Sequence, residues 1–256
     1  MKLCRAIHAA FEEPRYGAIE GRTVRVFEAG VSLDDLPTSP SNRTVSLDEV
    51  KLVAPVTPSK IVCVGRNYRE HAAELGNKMP EEPLLFLKAP SSVIGDGDTI
   101  ELPRESERVE HEGELGVVMG QRARHITADE DPLSYVLGYT CVNDVTARDL
   151  QRKDVQFTRA KSFDTFCPVG PVIVSDIDPL DAEVTTRLNG DIKQRARTIT
   201  MAFSVPFLIR YIAEIMTLYP GDLIATGTPA GVSPMTHGDV VEIEIDGIGV
   251  LRNSVN

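Results

Sequence analysis

The chain has 256 residues, enough to bury a substantial core as one large domain or as one large and one small. Its 42% hydrophobic and 25% charged residues are those of an ordinary soluble globular protein. With 27 Lys and Arg against 38 Asp and Glu, the net charge is −11, which argues against a nucleic-acid or anionic-membrane partner because phosphate binding needs basic surface. A small-molecule substrate is the default expectation.

Met1 to His8 lacks the apolar core of a signal peptide, and the most apolar later run is soon broken by Arg210 and Glu214, so a cytoplasmic protein is expected. Cys4, Cys63, Cys141 and Cys167 are far apart with no CxxC pair, which makes them small buried apolar residues. Residues 1–55 read as a small β unit, with an alternating run at Thr23–Phe27 after turn signals at Gly17 and Gly21, then a loop at 36–42. The prolines at 55 and 58 precede a fresh strand at Lys60–Val64 and place a domain boundary there, leaving 56–256 as the main domain.

A short helix is expected over Arg69–Gly76, closed by its glycine, and it sets His71 and Glu74 on one face at i and i+3. Such a pair can hold an imidazole in the tautomer that takes a proton from water; a surface His beside a surface Glu has the same spacing. Leu84–Leu87 reads as a buried strand running into Lys88, and Gly95–Asp98 as a turn before a strand at Thr99–Leu102.

The stretch Val109 to Gly120 alternates when extended, so Glu110, Glu112 and Glu114 share one face while His111, Leu115 and Val117 share the other. Carboxylates crowded on one face repel unless water or a cation lies among them, and hard oxygen ligands suit Mg²⁺, Mn²⁺ or Ca²⁺. A solvated face of an edge strand fits the same pattern. What favours the cation is downstream: Tyr139–Asn143 reads as an apolar strand that delivers Asp144 just before a helix at 146–153 capped by Thr146.

A short helix is also expected around Asp131–Gly138, with Pro132 in its first turn. Residues 159–168 lack any period and should form a loop that fixes Lys161 as a surface charge or as an ammonium for an anionic substrate. Asn189-Gly190 marks a hairpin. Ser204–Leu218 is the best helix, with an apolar stripe of Val205, Leu208, Ile209, Ile212 and Met216 and Ser204 as cap. A strand at Leu223–Thr226 feeds a glycine-containing loop without phosphate-loop spacing, and a hairpin turned at Asp246-Gly247 ends the chain. Short strands dominate, which predicts a β-rich α+β fold.

Five motifs occur in one order: Gly65-Arg66-Asn67-Tyr68-Arg69-Glu70-His71, His111-Glu112-Gly113-Glu114-Leu115, Asn143 to Gln151, Arg159 to Pro168, and Thr226-Gly227-Thr228-Pro229. Together they resemble the fumarylacetoacetate hydrolase family over residues 56–256, and the leading segment resembles the small N-terminal domain of many bacterial members. The resemblance implies a mixed β-sandwich roll, a homodimer, and Mg²⁺ or Mn²⁺ held by Glu112, Glu114 and Asp144. It also implies that His71 and Glu74 lie on a mobile lid, that Lys161 is beside the metal, and that Arg148, Gln151 and Thr228 contact a 2-oxo acid.

The chemistry so implied is a 2-oxo carboxylate chelated through a carboxylate oxygen and its keto oxygen, with charge on the latter stabilised as an enolate. Cleavage of a C–C bond then follows, by hydrolysis of an acylpyruvate or fumarylpyruvate or by decarboxylation of an oxaloacetate-like acid. In hydrolysis His71, oriented by Glu74, is the base and Lys161 binds negative charge. The alternative is a 1,3-proton shift, as in the 2-hydroxyhepta-2,4-diene-1,7-dioate isomerase of aromatic catabolism, which accompanies 5-carboxymethyl-2-oxo-hex-3-ene-1,7-dioate decarboxylase chemistry. A distant alternative is a non-catalytic metal-stabilised binding protein.

Overall fold

The computed structural model describes residues 1–33 and 40–256. Of the loop expected at 36–42, positions 36–39 lie outside the described residues, and Pro40 already begins a strand. In chain order the first strands are β1 (Lys2–Ile7), β2 (Arg15–Glu20), β3 (Thr23–Phe27), β4 (Pro40–Ser46) and β5 (Lys51–Val53). Then come β6 (Ile61–Gly65), helix α1 (Arg69–Glu74), β7 (Leu84–Lys88), β8 (Val93–Ile94), β9 (Thr99–Ile100), β10 (Val109–Glu110) and β11 (Gly113–Met119). They are followed by β12 (Val136–Asn143), β13 (Thr146–Ala147), α2 (Arg148–Lys153), α3 (Thr158–Lys161), β14 (Cys167–Val174), β15 (Glu183–Leu188) and β16 (Asp191–Arg197). The last are α4 (Val205–Ile215), β17 (Leu223–Ala225), β18 (Val240–Ile245) and β19 (Gly249–Val255).

The expected β-rich α+β fold is what the chain adopts. One large sheet runs β4-β3-β2-β1-β14-β12-β11-β17-β6-β7, with β5 on β1 and β8 on β14, and a second runs β16-β15-β18-β19-β9. Residues 1–55 do not form a sheet of their own: Lys2 and Leu3 pair with Val174 and Ile173, so the leading strands extend the large sheet. The sheets meet face to face beneath β11. A Cβ on Gly113 would lie 2.1 Å from the Thr186 hydroxyl and 2.9 Å from Ile243 Cδ1, so only glycine permits the approach. Because side chains alternate along a strand, Glu112 and Glu114 are thereby turned away from the second sheet.

β11 is buried along its whole length, with Leu115, Val117 and Met119 in the main core cluster and Val118 in another. It reads as continuous apolar sequence after the glutamates because both faces are covered. The stretch 109–120 is not one strand, since the chain leaves the ladder at His111 and Glu112 between β10 and β11. His111 is held by Gln194 at 3.2 Å and Ser233 at 2.8 Å.

Several local expectations are corrected. Residues 132–135 form only a 3₁₀ turn capped by Asp131, because β12 claims the chain from Val136. Thr146 does not cap a helix; it sits in β13 with its hydroxyl on the Asp144 carbonyl at 2.8 Å, and α2 starts at Arg148. Lys161 is not on a loop but is the last residue of α3. Helix α4 buries Val205, Leu208, Ile209, Ile212 and Ala213, yet the Ser204 side chain makes no capping hydrogen bond. Pro206 in the first turn has already removed one of the donors that a cap would satisfy. The cysteines are all buried and free, as expected.

Candidate active site

The backbone ladder brings the carboxylates together. Gly113 pairs with Asn143 across β11 and β12, and just beyond that pair the Asp144 N–H donates to the Glu112 carbonyl at 2.8 Å. Glu112, Glu114 and Asp144 are all buried, and one oxygen from each lies within 4.8 Å of the others.

Two ammonium groups and one guanidinium surround this cluster. Lys161 Nζ donates to Glu112 Oε2 at 2.8 Å and Asp144 Oδ2 at 2.5 Å, and lies 4.9 Å above the Phe86 ring. Lys88 Nζ donates to Asp144 Oδ1 at 2.7 Å and to the Val145 carbonyl at 3.1 Å. Arg148 donates to Glu112 Oε1, to Glu110 Oε2 at 2.6 Å and to Gln151 Oε1 at 2.6 Å. Burial alone would raise the Glu112 carboxyl, but Lys161 and then Arg148 hold it well below the ordinary range. Glu114 goes the other way: burial first, then the charges of Asp144 and Glu112, push it well above the usual value despite the Gly227 N–H at 2.8 Å.

A cavity of about 240 Å³ opens onto the cluster, and His71, Glu112, Glu114, Asp144, Arg148, Gln151, Lys161 and Thr228 all line it. Of the candidate site residues Glu74 alone is set back from it. Glu74 Oε2 is 3.4 Å from His71 Nδ1, and both its oxygens accept the Gly231 N–H at 3.1 Å, which ties α1 to the loop after β17. His71 is buried, and desolvation ahead of the opposing pull of Glu112 lowers its basicity, so the imidazole is neutral near pH 7. Thr228 donates to the Gly113 carbonyl at 2.9 Å and accepts from Gln194 Nε2 at 2.7 Å.

The sequence reading missed Lys88, Gln194 and the structural part played by Glu110. A charge closing the apolar run Leu84–Leu87 was the available signal for Lys88; an exposed-looking Gln in the charged stretch 191–197 offered none for Gln194. Asn67 is buried and holds α1 in place, donating to the Phe203 and Thr226 carbonyls at 3.0 and 2.8 Å while accepting the Phe203 N–H at 2.8 Å. Gly227 at φ +101° leaves room for it, since a Cβ there would come within 2.7 Å of Asn67 Cβ.

The donor set fits a hard divalent cation. Three carboxylate oxygens converge in a buried place, and the Lys161 ammonium that bridges two of them marks it as a locus for positive charge.

Comparison with known proteins adds three findings. A family model described as fumarylacetoacetate (FAA) hydrolase C-terminal matches residues 60–256, and one described as Rv2993c-like, N-terminal matches residues 1–55. A protein of Methanocaldococcus jannaschii is 56% identical over 200 residues, covering 78% of this chain and 84% of that one. Oxaloacetate tautomerase YisK of Bacillus subtilis is 46% identical over 225 residues, covering 82% and 74%. The crystal structure of 2-hydroxyhepta-2,4-diene-1,7-dioate isomerase from Mycobacterium marinum superposes with a TM-score of 0.89 at 42% identity, covering 100% of this chain and 98% of that one. With its motifs, its sheet order and this match over most of its length, the chain belongs to the fumarylacetoacetate hydrolase family.

Proposed function

We propose that this protein moves a proton on short 2-oxo acids, interconverting keto and enol forms of an oxaloacetate-type substrate. The observation that carries the reading is a buried imidazole lining the same cavity as three converging carboxylates. A divalent cation held by Glu112, Glu114 and Asp144 would supply the electron-withdrawing charge that makes protons beside the keto group acidic.

The chain's own residues do the rest. His71 in its neutral form accepts a proton from the carbon next to the keto group and returns one there or to oxygen; Glu74 accepts from Nδ1 and leaves Nε2 to face the cavity. Lys161 has three N–H donors and spends two on Glu112 and Asp144, so one remains for negative charge on the substrate. Phe86, Phe157, Leu84 and Leu75 form an apolar wall that limits water at the reacting carbon. The tautomerase and isomerase named among the relatives support the reading, because each name describes the movement of a proton without loss of a carbon fragment.

C–C cleavage is the second reading, favoured by the contact between His71 and Glu74, which also suits an imidazole that deprotonates water for attack on a distal carbonyl. One assay separates them. The enol of oxaloacetate is followed by ultraviolet absorbance with Mg²⁺ present, while pyruvate release from oxaloacetate and from an acylpyruvate is measured in parallel. Metal-dependent acceleration of enol loss without matching pyruvate release supports the proton shift. Pyruvate release as fast as enol loss replaces it with cleavage.

A further inference from the structure

Strand β16 turns an amide inward and an aliphatic side chain outward. Ile192 is 50% exposed, while Gln194, two residues on, is 1% exposed. The reversal arises at a β-bulge: Gln194 pairs with Thr186 but Ile192 pairs with Arg187, which leaves Lys193 as the extra residue. Such a residue breaks the alternation of side chains and re-aims the one beside it. Burying glutamine where isoleucine could go gives up apolar burial and requires partners for two N–H donors and two oxygen lone pairs.

All of these partners are present. Gln194 Nε2 donates to Thr228 Oγ1 and to the Pro229 carbonyl, both at 2.7 Å, and Oε1 accepts the Gly113 N–H at 3.0 Å and His111 Nδ1 at 3.2 Å. The amide orientation is fixed, because the Gly113 N–H can only donate and the Pro229 carbonyl can only accept. Thr228 in turn donates to the Gly113 carbonyl at 2.9 Å.

Gly113 is the residue between two of the converging carboxylates. The close approach of Thr186 and Ile243 requires glycine there, and glycine is the residue whose backbone angles are least restricted. Its N–H lies in the peptide plane shared with Glu112, and its carbonyl lies in the plane shared with Glu114. Each plane is rigid, so gripping both fixes the two soft angles between them and with them the relative aim of the two carboxylates. Gln194 grips the first plane, Thr228 grips the second, and the bond between these side chains joins the grips into one clamp.

We infer that Gln194 is a positioning residue for the carboxylate cluster: through Gly113 and Thr228 it holds Glu112 and Glu114 in one relative aim, which favours a small, geometrically demanding cation over a larger, adaptable one. Mg²⁺ requires near-ideal octahedral ligands at about 2.0–2.1 Å, whereas Ca²⁺ accepts looser sets at about 2.3–2.6 Å. The inference rests on the cluster as a cation site and is independent of the reaction run there.

The test is calorimetric titration of Mg²⁺ and of Ca²⁺ into metal-free protein, below the melting transition of every variant. Q194M, close in length but without the amide, should lower Mg²⁺ affinity by about tenfold or more, the usual effect of losing a group that orients a metal ligand. Ca²⁺ affinity should fall by less than about threefold, since its ligand set tolerates re-aiming. T228V should shift the ratio of the two affinities in the same direction, and T228S, which keeps the hydroxyl, should stay within about twofold of the wild type.

A merely structural Gln194 would lower the melting temperature of Q194M in EDTA while leaving the ratio of Mg²⁺ to Ca²⁺ affinity unchanged, and that result overturns the inference. So does a wild type that binds neither cation. Should Q194M fail to fold, T228V decides, and an unchanged ratio there overturns the inference as well. A shifted ratio in a protein without metal-dependent proton transfer leaves the clamp standing and sinks only the proposed reaction.

Discussion

Replacing Lys88 by Met keeps the length of the side chain and removes its charge from the carboxylate cluster. Lys88 is 2% exposed and Asp144 is 1% exposed, so neither is compensated by solvent. Its ammonium makes one charge-assisted bond to Asp144 Oδ1 and one hydrogen bond to the Val145 carbonyl. Breaking a buried pair by removing one partner costs about 3–5 kcal/mol, and because Lys161 still reaches Asp144 Oδ2 the low end, about 3 kcal/mol, applies.

In a chain of this size that lowers the melting temperature by about 6–12 °C. A cation bound at 100 times its Kd stabilises the fold by about 2.7 kcal/mol, and it binds the lysine-free cluster more tightly than the original. Thermal melts in EDTA and in excess Mn²⁺ should therefore show a wide gap between K88M and wild type that narrows with metal. A K88M protein that melts within about 2 °C of wild type in EDTA would refute the assignment of Lys88 as a counter-charge for Asp144.

H71N should lower kcat by about 100-fold or more while leaving oxalate affinity intact, since a general base contributes about that factor. In the wild type, burial lowers the His71 imidazole below its ordinary value, so the acid limb of kcat/KM should be centred below pH 6.5; a limb centred above 6.5 contradicts the desolvated environment. N67A removes three hydrogen bonds of a buried side chain, worth about 1 kcal/mol each, and should lower unfolding stability by about 3 kcal/mol in urea titrations. E74A severs the tie from α1 to Gly231, and hydrogen-exchange mass spectrometry should show faster exchange in residues 69–76 with the β11 core unchanged; uniform protection would count against Glu74 as the latch.

Much of the site was readable because its residues lie at the ends of strong local signals. Glu112 and Glu114 precede the apolar run of β11, and Asp144 follows that of β12, so turn and period rules place them even before their register is known. Lys161 and Thr146 were misassigned for a common reason: α3 is four residues long and β13 only two, too short for periodicity to register, and each is held by tertiary contacts. Lys88 and Gln194 escaped because burial of a polar side chain is decided by what the other sheet or helix brings to it. Gln194 is the one buried residue of β16, with its amide on Thr228 and Pro229 and its carbonyl serving Gly113 and His111.

The pairing of β1 with β14 has a cost that only a shortened chain would reveal. Without residues 1–55, the backbone groups of Ile173 and Val174 that β1 covers would face water as a short bare rim able to recruit a strand from a neighbour, while β8 would still hold Cys167 and Pro168. A version of this enzyme scaffold that dispenses with the leading segment must therefore shield that rim in some other way, and a simple N-terminal truncation should self-associate before it loses its carboxylate cluster.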